Sequence, residues 1–363
     1  MVLCTLSIVL IDNVRTAAAP IRKPLPPEWF VDHGDNAEMR WEAMRGQGDL
    51  TPTERFFVRN HSGTPLISVD RYRLRVHGPG LRCPLSLTYR DLERLPARSL
   101  SSIIECAGSG GRDLFASQQG TPVEGTPWKL GGIGAARWRG VALGEVLDRA
   151  GLRPGAVDVM ARGLDEPYVC DGVDHGPVRR PLPVGKALDD VLIALEMNGA
   201  ELPPDHGFPA RLVVPGWVGV ASIKWLGELE VATTAQRSPW NTRWYHGLSV
   251  QPVKSAFELA WEALLPAGRR LKLIGRSWSG QAPIRHVEVS TDGGARWRRA
   301  KLKGPNERYG WVRWELPWTP PPGRHELLAR ATDRSGLTQP DRVPFNDGGY
   351  QFWAVVRHPI TAL

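Results

Sequence analysis

Glycine and proline supply 39 and 32 of the 363 residues, and that density decides the kind of fold available before any motif is read. Glycine disfavours helices through backbone entropy and proline through its missing donor, so a fold of long, uninterrupted helices is excluded. Short elements joined by many turns remain. The hydrophobic fraction is 42% and the charged fraction 23%, enough apolar surface for packed cores, and disorder, collagen and coiled coil are poor descriptions. At usual domain sizes a chain of this length forms two domains, or three if one is small.

Three stretches differ in pattern. Residues 1–50 read as an N-terminal extension carrying Pro20, Pro24, Pro26 and Pro27. Within it, Asp35-Asn36-Ala37-Glu38 has the spacing of a capping box and predicts one short helix running through Arg45, lying over the next domain. Residues 51–248 mix signals: strands over 56–60 and 72–76, helices over 88–95 and 143–150, the latter stopped by Gly151. Further strands over 191–197 and 211–214 flank the tight Asn198-Gly199 reversal. No βαβ repeat is present, so the class is α+β. Residues 249–363 alternate apolar and polar positions (Leu271/Leu273, Val287/Val289, Val312/Trp314/Leu316, Leu327/Ala329/Ala331), with turns at Asp292-Gly293-Gly294 and over 333–336. That is the pattern of a β-sandwich. No cysteine lies beyond Cys170, so tryptophans 278, 297, 311, 314 and 318 must carry its packing.

The formal net charge of +8 draws in anions. Basic residues come only in pairs such as Arg179-Arg180, Arg269-Arg270 and Arg298-Arg299, so the expected ligand is a small or buried anion and no nucleic acid. The longest apolar stretch, 212–223, is bounded by Arg211 and Lys224 and falls short of the roughly 20 residues a membrane span needs. The apolar start, 1–11, has no preceding basic residues and no twin-arginine pair, which points to the cytoplasm; a periplasmic or exported protein is the alternative if a leader is missing. Cys4, Cys83, Cys106 and Cys170 form no CxxC, so neither a disulfide framework nor a cysteine zinc site is expected. Walker and HExxH signatures are missing, and Gly131-Gly132-Ile133-Gly134 is not a dinucleotide fingerprint.

Three constellations can carry chemistry. In Phe56-Phe57-Val58-Arg59-Asn60-His61, strand alternation puts Arg59 and His61 on one face, a planar fork for an oxyanion beside a second donor. Taken alone, a half-exposed polar strand face is the favoured reading of that pair, because such pairs are common. In Glu105-Cys106-Ala107-Gly108-Ser109-Gly110-Gly111-Arg112, the apolar Ile103-Ile104 delivers a cysteine into a bare backbone loop, where a thiolate serves as nucleophile or soft metal ligand. The alternative is a buried free cysteine before a turn. In 205–226, His206, Arg211, Ser222 and Lys224 sit among apolar residues, and buried cations call for a buried anion. Internal ion pairs to Asp205 or Glu228 are the competing explanation. Trp128 and Tyr245 read as aromatic core on their own.

Taken in order, FVRNH, ECAG with a nearby arginine, EMNG..LP.DHGFP.RLVVPG, IKWLG, and then SWSG and VEVSTDGG.RW resemble the sulfite oxidase family of molybdenum enzymes over roughly residues 50–357. The resemblance implies a molybdopterin domain of the family's α+β type at 51–248 and an immunoglobulin-like dimerisation domain at 249–363, hence a homodimer. It implies that Cys106 is the thiolate ligand of molybdenum beside the pterin dithiolene. Phe57, Val58, Arg59, Asn60, His61, Asp165, His206, Arg211, Ser222, Ile223 and Lys224 match cofactor-holding positions, and Arg59, Arg112, Trp128 and Tyr245 match positions around the substrate.

The chain departs from the family pattern in two places. Ser109-Gly110-Gly111 shifts Arg112 by one position, and Trp353-Ala354-Val355 puts valine where animal and plant relatives have arginine two residues after a tryptophan. The reaction implied is oxidation of sulfite, or a similar small oxyanion, to sulfate by oxygen-atom transfer. With no haem domain or CxxCH, electrons are expected to leave to an external acceptor, a cytochrome or dioxygen. A reductase of sulfoxide or nitrate on the same fold, and a non-catalytic basic binding module, are the alternatives.

Overall fold

A computed structural model describes residues 20–363. Cys4 and the apolar start over 1–11 lie outside the described residues. Sheets dominate, and the helices are short, the longest being Gly111–Gln119. That follows from the glycine and proline density.

Two five-stranded sheets form the first half. One has the order Arg179–Pro183, Asp158–Gly163, Leu226–Ala232, Leu74–His77, Leu85–Leu87, with a single parallel pairing between Leu226–Ala232 and Leu74–His77. The other runs Ala200–Glu201, Leu192–Met197, Ile133–Ala142, Ala97–Glu105, with Arg211–Val213 joined to Leu192–Met197. At the Asn198-Gly199 reversal both residues have positive φ, 54° and 87°, the twist a two-residue hairpin demands. The helices expected over 88–95 and 143–150 are present as Tyr89–Glu93 and Leu143–Arg149. Thr88 closes a capping box with Asp91, and Gly151 stops the second helix at φ 69°.

The helix expected from Asp35 to Arg45 is not formed. Asn36–Met39 is a strand paired with Phe30–Asp32 and Val58–Arg59, and only Trp41–Met44 turns as a 3₁₀ helix. Tertiary pairing overrides the capping pattern here, because Asn36 and Glu38 are engaged elsewhere. Asn36 Oδ1 accepts from the Asn60 N–H, and Glu38 accepts from the Lys129 and Gly131 N–H groups at 3.1 and 3.0 Å. The strand expected over 56–60 is likewise reduced to Val58–Arg59.

The second half is two sheets over one core: Lys254–Phe257, Leu271–Trp278, Trp311–Trp318, Lys301–Lys303 in one, and Ala263–Leu265, Arg357–Ala362, Gly323–Asp333, Ile284–Ser290, Arg298–Arg299 in the other. Leu273, Val312, Trp314 and Leu316 from the first sheet meet Val287, Val289, Leu327, Ala329 and Ala331 from the second, all buried. These are the alternating positions read from the sequence. Trp278 and Trp311 instead turn toward the N-terminal segment, where Trp41 lies 5.7 and 6.0 Å away, ring to ring. Residues 20–50 thus pack between the two halves.

One surface cluster sets an acid limit. Glu228 faces Arg75 on one neighbouring strand and Arg162 on the other, and its Oε1 lies 3.1 Å from His77 Nε2. The His77 hydrogen bond, outweighing the cost of burial, and the two guanidiniums pull the carboxyl from 4.5 down to about 2. Because the folded value is the lower one, the stabilisation is complete above about pH 4.5 and fades as pH falls toward 2. Glu228→Gln is expected to lose stability at pH 7 and to show a smaller decline between pH 5 and 3 than wild type. Urea midpoints measured across that range check it.

Candidate active site

Strand Ala97–Glu105 pairs along its whole length with Ile133–Ala142 and ends at Glu105, so Cys106 is the first residue past the sheet. Its N–H donates to the Gly132 carbonyl at 2.8 Å, and the chain turns at Gly110 (φ 73°) into helix Gly111–Gln119. The loop is held from the other half of the molecule. Lys254 Nζ, on strand Lys254–Phe257, bonds Glu105 Oε1 at 2.6 Å and the Ser109 carbonyl at 3.0 Å, and Trp278 Nε1 donates to Glu105 Oε2 at 2.9 Å.

Cys106 lines one cavity together with Phe57, Arg59, Asn60, His61, Asp165, His206, Arg211, Ser222, Ile223, Lys224 and Tyr245. Every sequence-derived candidate except Val58, Arg112 and Trp128 therefore lines one space. Val58 is buried and packs into the hydrophobic core. Trp128 stands just behind the wall: a methyl on Gly108 would touch both Trp128 Cδ1, at 3.6 Å, and Cys106 Sγ, at 3.7 Å. Arg112, on the first turn of its helix, is near enough for its charge to lower the Cys106 and Tyr245 pKa values.

The cavity is cationic, and Asp165 and Asp205, which also line it, offset the charge of Lys224 only in part. Arg211 bonds only carbonyls, those of His206 (2.9 Å), Ser222 (3.0 Å) and Leu212 (3.3 Å), and burial alone pushes its pKa down to about 9. Lys224 donates to Asn60 Oδ1 and, at 2.9 Å, to the Asp205 carbonyl; burial and then Arg211 hold it well below the usual lysine range. Burial, Lys23 and Lys224 depress His206 likewise, and its buried Nε2 has no hydrogen-bond partner. His61 Nε2 accepts from Trp240 Nε1 at 3.2 Å, which puts the ring proton on Nδ1; burial and Arg59 keep the ring neutral.

The competing ion pairs do not form. Asp205 accepts from the Arg22 and Lys23 N–H groups and from Thr64 Oγ1, and Glu228 serves Arg75 and His77 on the outer sheet. An anion is what this donor set lacks.

Around the thiol the balance reverses. Burial works against the Arg59 guanidinium, but Tyr245, Cys106 and Tyr350 outweigh it and raise the pKa. Burial raises the Cys106 thiol above its ordinary value against the pull of Arg59, so a metal must displace its proton. An orphaned imidazole nitrogen, unpaired buried cations and a buried thiol in one cavity fit a phosphate-bearing cofactor with a thiophilic metal.

Sequence reasoning missed three contributors. Lys23 reaches in from the extension with Nζ on the Phe56 and Thr53 carbonyls, its pKa lowered by burial to about 7. Tyr168 lies against His61, ring centroids 5.3 Å apart, and Tyr350 stacks on Tyr245. Only the Gly348-Gly349 pair before Tyr350 hinted at a tight backbone there.

Comparison with known proteins agrees. Residues 61–240 match the oxidoreductase molybdopterin binding domain, and residues 250–356 the Mo-co oxidoreductase dimerisation domain. The chain is 38% identical to sulfite oxidase of Gallus gallus over 81% of its own length and 69% of that protein. It is 35% identical to mitochondrial sulfite oxidase of Mus musculus, over 85% of this chain and 60% of that one. It is also 31% identical to the NADH nitrate reductase of Ulva prolifera, over 85% of this chain and 40% of that protein. The sulfane dehydrogenase SoxCD of Paracoccus pantotrophus superposes with a TM-score of 0.76 at 29% identity, covering 88% of this chain and 82% of that one. A cationic cavity that lacks an anion, a thiol at its wall and these likenesses lead to one conclusion: the chain belongs to the sulfite oxidase family of molybdopterin-dependent oxidoreductases and uses a molybdenum cofactor.

Proposed function

We propose that the protein oxidises sulfite to sulfate, with Cys106 holding molybdenum and the substrate bound beside it. The observation that carries this reading is the meeting of the Cys106 thiol, Arg59 and Tyr245 in one cavity whose remaining cations, Arg211 and Lys224, bond carbonyl oxygens and make no ion pair among the described residues. Phe57, Asn60, His61, Asp165, His206, Arg211, Ser222, Ile223 and Lys224 hold the cofactor, with Val58 packed in the core behind them and Arg211, Lys224 and His206 Nε2 meeting its phosphate. When bound, the molybdenum centre supplies two-electron oxygen-atom exchange. The chain's own residues bind and orient the substrate. The Arg59 fork takes two oxyanion oxygens, Arg112 adds charge, Tyr245 donates a hydrogen bond, and Trp128 backs the wall and excludes water.

The catalytic domain is assigned to 51–248 and the dimerisation domain to 249–363. Two sheets of four and five strands over one core support an immunoglobulin-like description of the latter, and the match to a dimerisation family supports a homodimer. Electrons go to an external acceptor, a cytochrome or dioxygen. Because the cofactor site is buried, it is filled where the chain folds, which favours the cytoplasm; among the described residues no helix is long and apolar enough to cross a membrane.

Steady-state assays decide between the readings. Sulfite with an artificial acceptor is expected to turn over faster than nitrate or a sulfoxide with reduced dye. The reverse order would assign the site to reduction, as the nitrate reductase likeness allows. Purification without stoichiometric molybdenum would leave only a binding module.

A further inference from the structure

A second phenol, from the C-terminal segment, lies against Tyr245, which lines the cavity. The Tyr350 ring stacks on Tyr245 with 4.6 Å between centroids and 27° between planes. One side chain clamps its backbone on both sides: Asn346 Oδ1 accepts the Tyr350 N–H at 2.9 Å, and Asn346 Nδ2 donates to the Tyr350 carbonyl at 2.8 Å. The next residue, Gln351, donates its N–H to the Ala107 carbonyl at 2.6 Å, one residue past the metal-binding thiol.

The surrounding glycines are small for a reason. A methyl on Gly111 would come within 1.8 Å of the Gly349 carbonyl oxygen, so this segment lies directly against the start of the Arg112 helix. A methyl on Gly348 would sit 2.0 Å from Tyr350 Cε2, because the ring folds back over a bare backbone. Arg112 passes between Gly349 and Gly125, with Cγ 3.2 Å from a Cβ built on Gly349.

Burial, and after it Tyr245, pushes the phenol above the ordinary tyrosine range despite the Arg112 and Arg59 charges nearby, so Tyr350 is a neutral donor at working pH. Val355, at the position where the family resemblance leads one to look for an arginine, is buried and apolar and offers no side-chain donor.

We infer that Tyr350 is a substrate-binding residue that sets anion specificity, its hydroxyl donating to a substrate oxygen alongside Arg59 and Tyr245, with Gly348 kept bare to seat the ring. The inference rests on the oxyanion reading of this site, not on which oxyanion is turned over. A site built to hydrogen-bond an oxygen discriminates against anions that present none there.

The test uses the molybdenum-loaded enzyme and reads both sulfite kinetics and equilibrium binding of sulfate, by calorimetry. Tyr350→Phe keeps the stacked ring and is expected to raise the sulfite KM and the sulfate Kd together by about tenfold, the worth of one hydrogen bond to a charged group, with kcat within about twofold. Gly348→Ala keeps the hydroxyl but displaces the ring, and the same rise is expected. Unchanged sulfate binding in both variants would overturn the inference. If wild type binds sulfate and Tyr350→Phe does not, yet sulfite is not oxidised, the sulfite reading falls while the role of Tyr350 stands. If wild type binds no sulfate, both fall.

Discussion

Replacing Cys106 by serine is expected to cut sulfite-dependent turnover by at least about a thousandfold while leaving the fold in place. Loss of an outer partner of a metal ligand typically costs about 10–100-fold, and Cys106 is proposed as the ligand itself. Serine is nearly isosteric and its hydroxyl fits the same half-turn, where the backbone N–H is already fixed on Gly132. Oxygen is a hard, poorly deprotonated substitute for a thiolate, and among the described residues no other cysteine lines the cavity. Turnover with an artificial acceptor, read beside thermal midpoint and cavity-bound pterin, checks the prediction. A variant retaining a tenth of wild-type turnover would show that the metal is held by something else.

Lys254→Met is expected to destabilise the protein by about 3–5 kcal/mol, the usual consequence of stranding a buried charge. The two side chains of the Lys254–Glu105 pair are only 5% and 4% exposed, and they meet at 2.6 Å. Removing the ammonium leaves Glu105 with only the Trp278 indole N–H, and it frees the Ser109 carbonyl inside the metal loop. The double variant Glu105→Gln with Lys254→Met removes the stranded charge and keeps an acceptor for Trp278, so it should recover most of the loss. Urea unfolding of the two single variants and the double variant measures the coupling. A loss below about 1 kcal/mol for Lys254→Met would mean the pair is solvated in solution. The pair also ties the C-terminal half to the residue preceding Cys106.

Local pattern was legible wherever one element explains it. The short helix after Thr88, the stop at Gly151, the Asn198-Gly199 hairpin and the alternating strands after residue 270 all formed as read. The segment around Asp35 was misread because its side chains answer distant partners: Asn36 serves Asn60, and Glu38 serves Lys129 and Gly131. Spacing along a chain cannot register bonds across 24 to 93 residues.

The site followed the same rule. His206, Arg211, Ser222 and Lys224 were found because buried cations in apolar text signal an anion, whereas Asp165, Ile223 and Tyr245 came from the family resemblance alone. Lys23 and Tyr350 were missed because their neighbours in sequence are ordinary loop residues, and the packing that brings them in is tertiary. The choice between an internal ion pair and a bound anion needed the structure as well, since only coordinates show Asp205 taken up by backbone N–H groups.

The most direct measurement of the central claim is an anaerobic titration of oxidised, molybdenum-loaded enzyme with sulfite, following the visible absorption of the metal–thiolate chromophore. The account predicts a change complete at one sulfite per chain, with one sulfate formed for each. An unaltered spectrum and no sulfate, from enzyme carrying a full complement of metal, would contradict it.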